Sequence, residues 1–233
     1  VLRSLAEWAG TQGAGTTLAS IGTSHRTSNN SVIDFGTGGA GGWSGPAIAV
    51  GLFDGTELFT WANMDGRTIL EGEAFSFDPG TLIFDFGVTG GMSDYLSNAL
   101  IDLIWRAQAY SWPANLYAAY TTTTPTNATP GLEPGVGGYA RQAIASSLSG
   151  WTPTQGGLVT DASSGTGGRI GNQAAVVFPE PTANQGVATH GELWDAAAGG
   201  NMMFWRALAG AKSIVAGGPP PTFASDSIGI TWA

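Results

Sequence analysis

The stretch Gly90-Gly91-Met92-Ser93-Asp94-Tyr95-Leu96 lies at a joint between two kinds of sequence. Before it, a strand-like run ends at Phe86 and a glycine-rich spacer follows. After it, a methionine, a potential helix cap and an apolar-periodic segment follow one another, as they do at the start of a polypeptide. This order indicates that Met92 is a former start codon and that the chain is two copies of one module fused head to tail.

Alignment across the joint supports the duplication. The pattern Trp8-(x)3-Gln12-Gly13 matches Trp151-(x)3-Gln155-Gly156 at an offset of 143 positions, and the offset reaches 146 in the last run. Loop insertions and deletions produce such small drift. The other matched sets are Leu5 with Leu148, Phe35 with Phe178, Phe53-Asp54 with Trp194-Asp195, Phe59 with Phe204, Arg67-Thr68-Ile69 with Lys212-Ser213-Ile214, and 77–86 with 223–232.

The two copies differ in length at their N-terminal ends. Val1 aligns with position 144, so the 51 residues 93–143 have no counterpart before Val1. Either the first copy has lost its opening segment or the sequence starts after it. We predict two domains: a first β module at 1–90 that is incomplete at its N-terminus, and a complete second β module at 92–233.

Composition and charge limit the classes of protein and of partner. Hydrophobic residues make up 42% of the chain, charged residues 11%, and 37 of the 233 residues are glycine, a profile typical of a turn-rich globular β protein and too apolar for disorder. The absence of cysteine excludes disulfides and thiolate chemistry. A net charge of −9 with one lysine, Lys212, argues against nucleic acid as a partner. No apolar run is long enough for a membrane helix, so we expect no membrane partner.

Turn dipeptides and alternating apolar residues predict a series of short strands. Their spacing indicates a sandwich or a small barrel. The predicted fold class is mainly β, with tandem duplicated β-sandwich-like or barrel-like modules and one helix opening the complete second module. We expect a short strand at 1–8, a long surface loop at 10–30, and turns at Asp54-Gly55, Asp65-Gly66 and Asp78-Pro79-Gly80. The predicted strands are 32–35, 46–53, 58–61, 82–86, 115–120, 141–144, 174–178, 187–194, 202–208, 213–215 and 227–232.

One helix is predicted at 93–107. Leu96, Leu100, Leu103 and Ala107 recur at four, three and four residues, which forms one apolar stripe, and Ser93 or Asp94 can cap the first turn. The stripe must cover an open face of the second module, and the same place on the first module is then bare. It could be covered by a helix upstream of Val1, by a segment of another subunit, or by the second module itself. We favour the upstream helix.

Several motifs of the second copy occur together in a particular order. They are Met92-Ser93-Asp94-Tyr95-Leu96, Leu116-Tyr117-Ala118-Ala119-Tyr120, Gly137-Gly138-Tyr139-Ala140-Arg141-Gln142-Ala143, Val177-Phe178-Pro179, Trp194-Asp195-Ala196-Ala197 and Gly199-Gly200-Asn201-Met202-Met203-Phe204. This set resembles a family of short tailed-bacteriophage virion proteins that are generally labelled phage tail fibre proteins. The likeness covers 92–233, and 1–91 is then a diverged copy. It departs from the family at Trp105-Arg106, at Pro219-Pro220-Pro221 and at an insertion at Glu192. The resemblance implies a structural role in the virion.

No residue is predicted to be catalytic, to bind a cofactor or to ligate a metal. His25 and His190 do not coincide under the repeat; we expect His25 to be solvated in a loop and His190 to lie in a sheet beside Glu192 without a third ligand. Asp54 and Asp195 could be paired carboxylates, but each opens a turn, where aspartate caps backbone amides. The run Ser163-Ser164-Gly165-Thr166-Gly167-Gly168 lacks the lysine and the helix of a phosphate loop.

Two functions from different classes remain. The first is a non-enzymatic structural protein of the virion, which decorates or cements the capsid or attaches a fibre, with other virion proteins as partners and self-association expected. The alternative is a carbohydrate-binding module of a fibre in which Trp43, Trp112 and Trp151 form an exposed line. We also expect each small module to need contacts with neighbours, because short chains rarely bury enough core to be stable alone.

Overall fold

The chain folds mainly into β-strands joined by glycine-rich turns, and its computed structural model describes residues 3–54, 57–86 and 91–231. The predicted mainly β fold class with one helix is confirmed, and the sheets are small and open, consistent with a β-sandwich-like class. Within the described residues, no helix is long and apolar enough to cross a membrane. The strands are β1 (Arg26–Ser28), β2 (Ile33–Thr37), β3 (Ala47–Asp54), β4 (Glu57–Arg67), β5 (Ala74–Phe77), β6 (Ile83–Asp85), β7 (Asn115–Thr121), β8 (Gln142–Ala145), β9 (Arg169–Ile170), β10 (Val176–Val177), β11 (Gly186–Trp194), β12 (Met202–Ile214), β13 (Thr222–Phe223) and β14 (Ile230–Thr231).

The helix α1 spans Asp94–Ile104, close to its predicted position. Ser93 is the N-cap, and its Oγ accepts a hydrogen bond from the Leu96 amide at 3.1 Å. The helix is shorter than predicted because Trp105 is its C-cap and Ala107 has a φ of 54°, which does not continue an α-helix.

We call residues 91–231 the C-terminal half. It holds the largest sheet among the described residues, with antiparallel strands in the order β12-β11-β7-β8. Leu96 and Leu100 of α1 belong to the same buried cluster as the apolar side chains of this sheet. The other buried members of the cluster are Met92, Leu116, Ala118, Tyr120, Ile144, Val176, Phe178, Ala188, Leu193, Met203 and Ile214.

We call residues 3–86 the N-terminal half. Its strands form three two-stranded antiparallel sheets, β1–β6, β2–β5 and β3–β4. Trp8 and Leu82 are its buried apolar centre, and Val50, Leu52 and three phenylalanines pack around them, Phe77, Phe84 and Phe86. Two further members of this cluster, Ile101 and Trp105, come from α1 and its C-cap.

Two predictions for the first thirty residues are wrong. Residues 4–7 form turns instead of a strand, and Trp8 makes only an isolated bridge to Asn29. The expected surface loop at 10–30 contains β1 and buries Thr11, Ser20 and His25. The polar composition of this segment suggested exposure to solvent, but several of its polar groups form hydrogen bonds with α1, as described below.

Two turn and strand predictions also change in the long hairpins. Asp65-Gly66 lies inside β4, because the pairing register shifts between Ala47↔Arg67 and Ala49↔Asn63 and the extra residues form a bulge. The strands predicted at 202–208 and 213–215 are one strand, β12. Residues 55–56, where the Asp54-Gly55 turn was predicted, lie outside the described residues, although β3 and β4 remain paired up to Asp54 and Glu57.

Candidate functional site

α1 presents a different row of side chains to each half of the chain. Leu96 and Leu100 pack into the C-terminal core, whereas Ile101 and Trp105 pack against Trp8. Residues four apart lie on one side of a helix, so these are two distinct stripes. The prediction of a single stripe ending at Leu103 and Ala107 is wrong, because Leu103 is half-buried and Ala107 is exposed.

Arg106 follows α1 and is fully buried against the N-terminal half. Its Nε donates to the Trp8 carbonyl at 3.0 Å, and Nη1 donates to Ser20 Oγ at 3.0 Å. Nη2 donates to the carbonyl oxygens of Leu18 and Thr16. The guanidinium therefore supplies donors to carbonyls of residues 8–18, a segment that has little regular structure of its own.

Asp102 lies one helical turn before Arg106 and completes the buried network. Its Oδ1 lies 2.5 Å from Arg106 Nη1 and accepts the Ser20 hydroxyl at 2.6 Å, and its Oδ2 accepts the Ser20 amide at 2.9 Å. A buried ion pair is stable only when such additional bonds satisfy both ions, and removing one partner is costly. The pair therefore holds the N-terminal half in one orientation on α1.

His25 lies at the start of α1, where the other end of the helix meets the N-terminal half. Its Nε2 is 2.8 Å from Asp94 Oδ1 and 3.3 Å from Asn127 Nδ2. The residue is 8% exposed and has a φ of 54°. The expectation of a solvated loop histidine is wrong, because residues 94 and 127, distant in sequence, enclose the ring.

These contacts give a structural role to Trp105 and Arg106, where the sequence resemblance led us to expect a departure. Trp105 and Arg106 are bulky residues at the end of α1, and both side chains are directed into the N-terminal half. Trp105 contacts Phe84 and Phe86 with ring centroids 5.7 and 5.4 Å apart. The sequence therefore drew attention to two residues of the interface between the halves. It did not reveal which residues of the N-terminal half they contact.

The two halves repeat the same side-chain hydrogen bonds at the aligned positions. Asn29 Nδ2 donates to the carbonyls of residues 31 and 78, and Asn172 Nδ2 donates to those of 174 and 224. Each Asn Oδ1 accepts an amide, from Leu82 at 2.9 Å and from Ile228 at 2.8 Å. Each Asn also bridges to the aligned tryptophan, Trp8 or Trp151.

A second repeated motif lies in the loops that follow the two tryptophans. Gln12 donates to the carbonyl of residue 19 at 2.9 Å, and Gln155 donates to that of residue 162 at 3.0 Å. Thr11 and Thr154 accept the amides of Gly22 and Gly165 at 2.8 and 3.0 Å. These loops have the same internal bonds in both halves, although only the first is covered by α1.

The strand registers repeat as well. The pairs Thr27↔Phe84 and Ile33↔Phe77 correspond, at the predicted offsets, to Ile170↔Ile230 and Val176↔Phe223. Phe35 and Phe178 keep an edge-on contact with the aligned partner, Phe77 or Phe223, at centroid distances of 6.0 and 5.6 Å. Their burial differs, since Phe35 is 49% exposed and Phe178 is 2% exposed. The pairs that involve Phe59 and Trp232 cannot be compared, because their side chains lie outside the described set.

A separate charged cluster surrounds Arg141 at one end of the large sheet. Its guanidinium carbon lies 3.6 Å from the centroid of the Trp194 ring, and Nη2 donates to Glu133 Oε1 at 2.6 Å. Nη1 donates to the carbonyls of Ala196 and Gly199 at 2.9 and 2.8 Å. Three segments that the family resemblance singled out, 137–143, 194–197 and 199–204, are therefore joined by one side chain.

Glu192 is buried beside this cluster, and burial raises its pKa above the usual range. Two hydrogen bonds oppose that rise: Oε1 accepts the Gly131 amide at 2.7 Å and Oε2 accepts the Trp194 Nε1–H at 2.9 Å. Burial also raises the pKa of Tyr120 to about 12. Through the Gly131 bond, Glu192 fixes the 121–131 loop to β11.

The other candidate residues occupy structural positions. His190 lies in β11, with Nδ1 2.9 Å from Thr189 Oγ1. Asp195 accepts the amide and the side-chain amide of Asn201 at 2.6 and 2.8 Å, which is the turn-capping role predicted for it. Ser163 Oγ accepts the Thr154 amide at 3.2 Å within a loop. Among the described residues, no three acidic or histidine side chains could hold one metal ion.

The three tryptophans of the carbohydrate-binding alternative differ in exposure. Trp112 is 50% exposed, with its ring edge-on to Tyr110 at 5.0 Å. Trp43 is partly covered and packs against Phe75 at 5.4 Å, and Trp151 packs partly against the C-terminal core. They do not provide the exposed line of aromatic platforms on which this alternative depends.

Comparison with known families adds the decisive observation. A family model described as Gp80, podophage GP4 fiber I protein gp80, matches residues 91–231, more than half of the chain. The chain belongs to this family. Membership of the Gp80 family makes it a fibre-type phage protein located in the virion, as the sequence resemblance implied. No curated protein matches the chain.

The boundary of the Gp80 match agrees with the joint in the sequence. The match begins at Gly91, beside Met92, and contains α1 and the large sheet. Phage fibre proteins are generally structural and non-enzymatic, and they associate with other virion proteins. The N-terminal half lies outside the Gp80 match and is attached to the matched region through α1.

Proposed function

We propose that this chain is a non-enzymatic structural subunit that attaches a fibre to the virion, with capsid decoration as the other position open to it. The Gp80 match is the observation that carries this proposal, because it is to a fibre protein. The buried Asp102–Arg106 pair and the His25–Asp94 contact support it, since both join α1 to the N-terminal half, as a connector requires.

We also propose that the chain is a tandem duplication with domains at 1–90 and 92–233. The repeated bonds of Asn29 and Asn172, at the offset found in the sequence, support this division. In such a connector, one module keeps the family's own contacts while the diverged module is free to contact a different virion protein.

Electron microscopy of intact particles tests the assignment. The chain has no cysteine, so Ala62→Cys, at an exposed position of β4, gives a single thiol for a gold label. We expect labels at the base of the fibres. Labels distributed over the capsid faces would support decoration instead, and labels absent from intact particles would contradict a virion role.

A further inference from the structure

The β3–β4 hairpin carries large apolar side chains in contact with solvent. Ile48 and Phe53 on β3 are each 62% exposed, and Leu58 and Trp61 on β4 are 51% and 59% exposed. Proteins seldom leave so many large apolar groups together on one element unless another surface covers them. Of the hairpin side chains that the structure describes, those of Val50 and Leu52 pack partly on the N-terminal core.

β3 also has an open edge. Within the described residues its pairing partner is β4 alone, whereas the aligned strand of the C-terminal half, β11, pairs with both β12 and β7. A two-stranded ribbon is marginally stable by itself, and a third strand adds hydrogen bonds and covers side chains. The C-terminal half therefore shows what the free side of β3 accepts: an antiparallel strand.

The sequence of β3 is that of an interior strand. Between Ala47 and Phe53 it has neither a charged residue nor a proline, the usual features that protect an edge from pairing. The outer strands of both hairpins do carry charges: Asp65 and Arg67 in β4, Arg206 and Lys212 in β12. The hairpin is therefore protected along β4 and unprotected along β3.

We propose that β3 pairs antiparallel with β3 of a second copy of this chain across a two-fold axis, forming the four-stranded sheet β4-β3-β3-β4. A second copy cannot supply β7, which is already paired on both edges, and its β4 and β12 edges are charged. β8, at the other edge of the large sheet, has 4 residues against 8 in β3. Among the strands that the structure describes, the open one that matches β3 in length and in lack of charge over 47–53 is β3 itself.

The charge distribution along β3 suits this arrangement. Asp54 is the acidic residue at its C-terminal end. In an antiparallel pair centred near Val50 and Gly51, the two Asp54 residues lie at opposite ends of the new sheet, so they do not oppose each other. A two-fold interface of this kind uses the same patch twice and closes on itself, which limits assembly to a dimer.

Light scattering after gel filtration tests the proposal, with two matched lysine substitutions. We expect the unsubstituted 233-residue chain to have twice its own mass of 23.7 kDa at micromolar concentrations. Ala49→Lys on β3 should raise the dissociation constant of the dimer at least about tenfold, because two-fold symmetry places a lysine in both strands of the interface. Ala62→Lys, at an exposed position of β4 opposite Val50, should leave it unchanged.

Single cysteines give an independent test that does not depend on stability. Oxidation of cysteine variants at positions 49–52 should give a covalent dimer with a maximum at one position, where the two copies of that residue face each other. Ala62→Cys should give none. A monomeric natural chain, a dimer equally sensitive to Ala62→Lys, or cross-linking strongest at position 62 would each overturn the proposal.

Discussion

The two long hairpins have similar positions in their halves and opposite surroundings. In the C-terminal half, β11 lies between β12 and β7, and Leu193 and Trp194 are 3% and 7% exposed. In the N-terminal half, the aligned Phe53 is 62% exposed. The burial of a hairpin is therefore set by the strands that join it, and apolar residues alone do not ensure a covered face.

The loops after the two aligned tryptophans show the reverse difference. Trp8 is 2% exposed under α1, whereas Trp151 is half-buried, although both bridge to an asparagine in the same way. The hairpin is thus better covered in the C-terminal half, and the tryptophan loop is better covered in the N-terminal half. The following four predictions test the contrast, starting with the largest expected effect.

Arg106→Ala should be the most damaging substitution. It leaves the buried Asp102 carboxyl without its ion-pair partner, which costs about 3–5 kcal/mol of unfolding free energy. Urea unfolding measures the loss. The matched control is Arg26→Ala, whose ion pair with Asp85 is largely exposed and is worth below about 1 kcal/mol. Equal losses in the two variants would mean that α1 does not hold the N-terminal half through this network.

Trp8→Ala should destabilise the chain by about 3–5 kcal/mol, because it opens a cavity under α1. Trp151→Ala should cost only about 2 kcal/mol, because that ring is already partly in solvent. Thermal unfolding of the two variants gives the comparison. A larger loss at Trp151 would contradict the assignment of the covered face to the N-terminal half.

Asn29→Ala and Asn172→Ala should have nearly equal effects. Each substitution removes the side chain that satisfies two carbonyls and one amide, which costs about 1–3 kcal/mol. Hydrogen exchange should show faster opening of β1–β6 in the first variant and of β9–β14 in the second. Clearly unequal losses would weaken the proposal of a tandem duplication.

Glu192→Gln should have the smallest effect of the four substitutions on the unfolding free energy. The effect should appear in the pH dependence of that free energy. Because burial raises the folded-state pKa of Glu192, the natural chain loses stability as pH rises from about 4.5 towards that value, and the glutamine variant does not. Between pH 4 and pH 7, the unfolding free energy of the natural chain should therefore fall relative to that of the glutamine variant.

Glu73→Gln is a control of opposite sign in the N-terminal half. A hydrogen bond from Arg67 lowers the pKa of Glu73, so its stabilising contribution is present above its ordinary pKa and is lost as pH falls through the lowered value. The group is exposed and solvent screens the interaction, so the change should be slight. If both glutamine variants shifted in the same direction, the assigned cause of the Glu192 shift would be wrong.

The sequence predicted those elements that depend on neighbouring residues. The helix near 93–107, the hairpin strands at 46–53 and 187–194, and the turn at Asp195 follow from periodicity and turn chemistry. Asp65-Gly66 misled because the same dipeptide can occupy a bulge, and only the pairing with Ala47 and Ala49 distinguishes the two.

The contacts of α1 with the N-terminal half could not be predicted from periodicity. Ile101 and Trp105 form a second stripe beside the first, and a single-stripe interpretation leaves them out. The burial of His25 and Ser20 depends on residues more than sixty positions away. The favoured upstream helix stays a prediction: α1 covers the Trp8 face of the N-terminal half, whereas in the C-terminal half it packs on β12, whose aligned strand β4 keeps Leu58 and Trp61 exposed.

The position of α1 has a consequence for the strength of the contact between the halves. Phe86 and Gly91 are separated by four residues of sequence, so α1 meets its binding surface at an effective concentration in the millimolar range. A contact that would be largely dissociated between separate proteins at micromolar concentration is then almost fully formed. Selection on this surface can therefore favour a fixed angle between the halves over high affinity, which suits a surface built from ion pairs and carbonyl bonds.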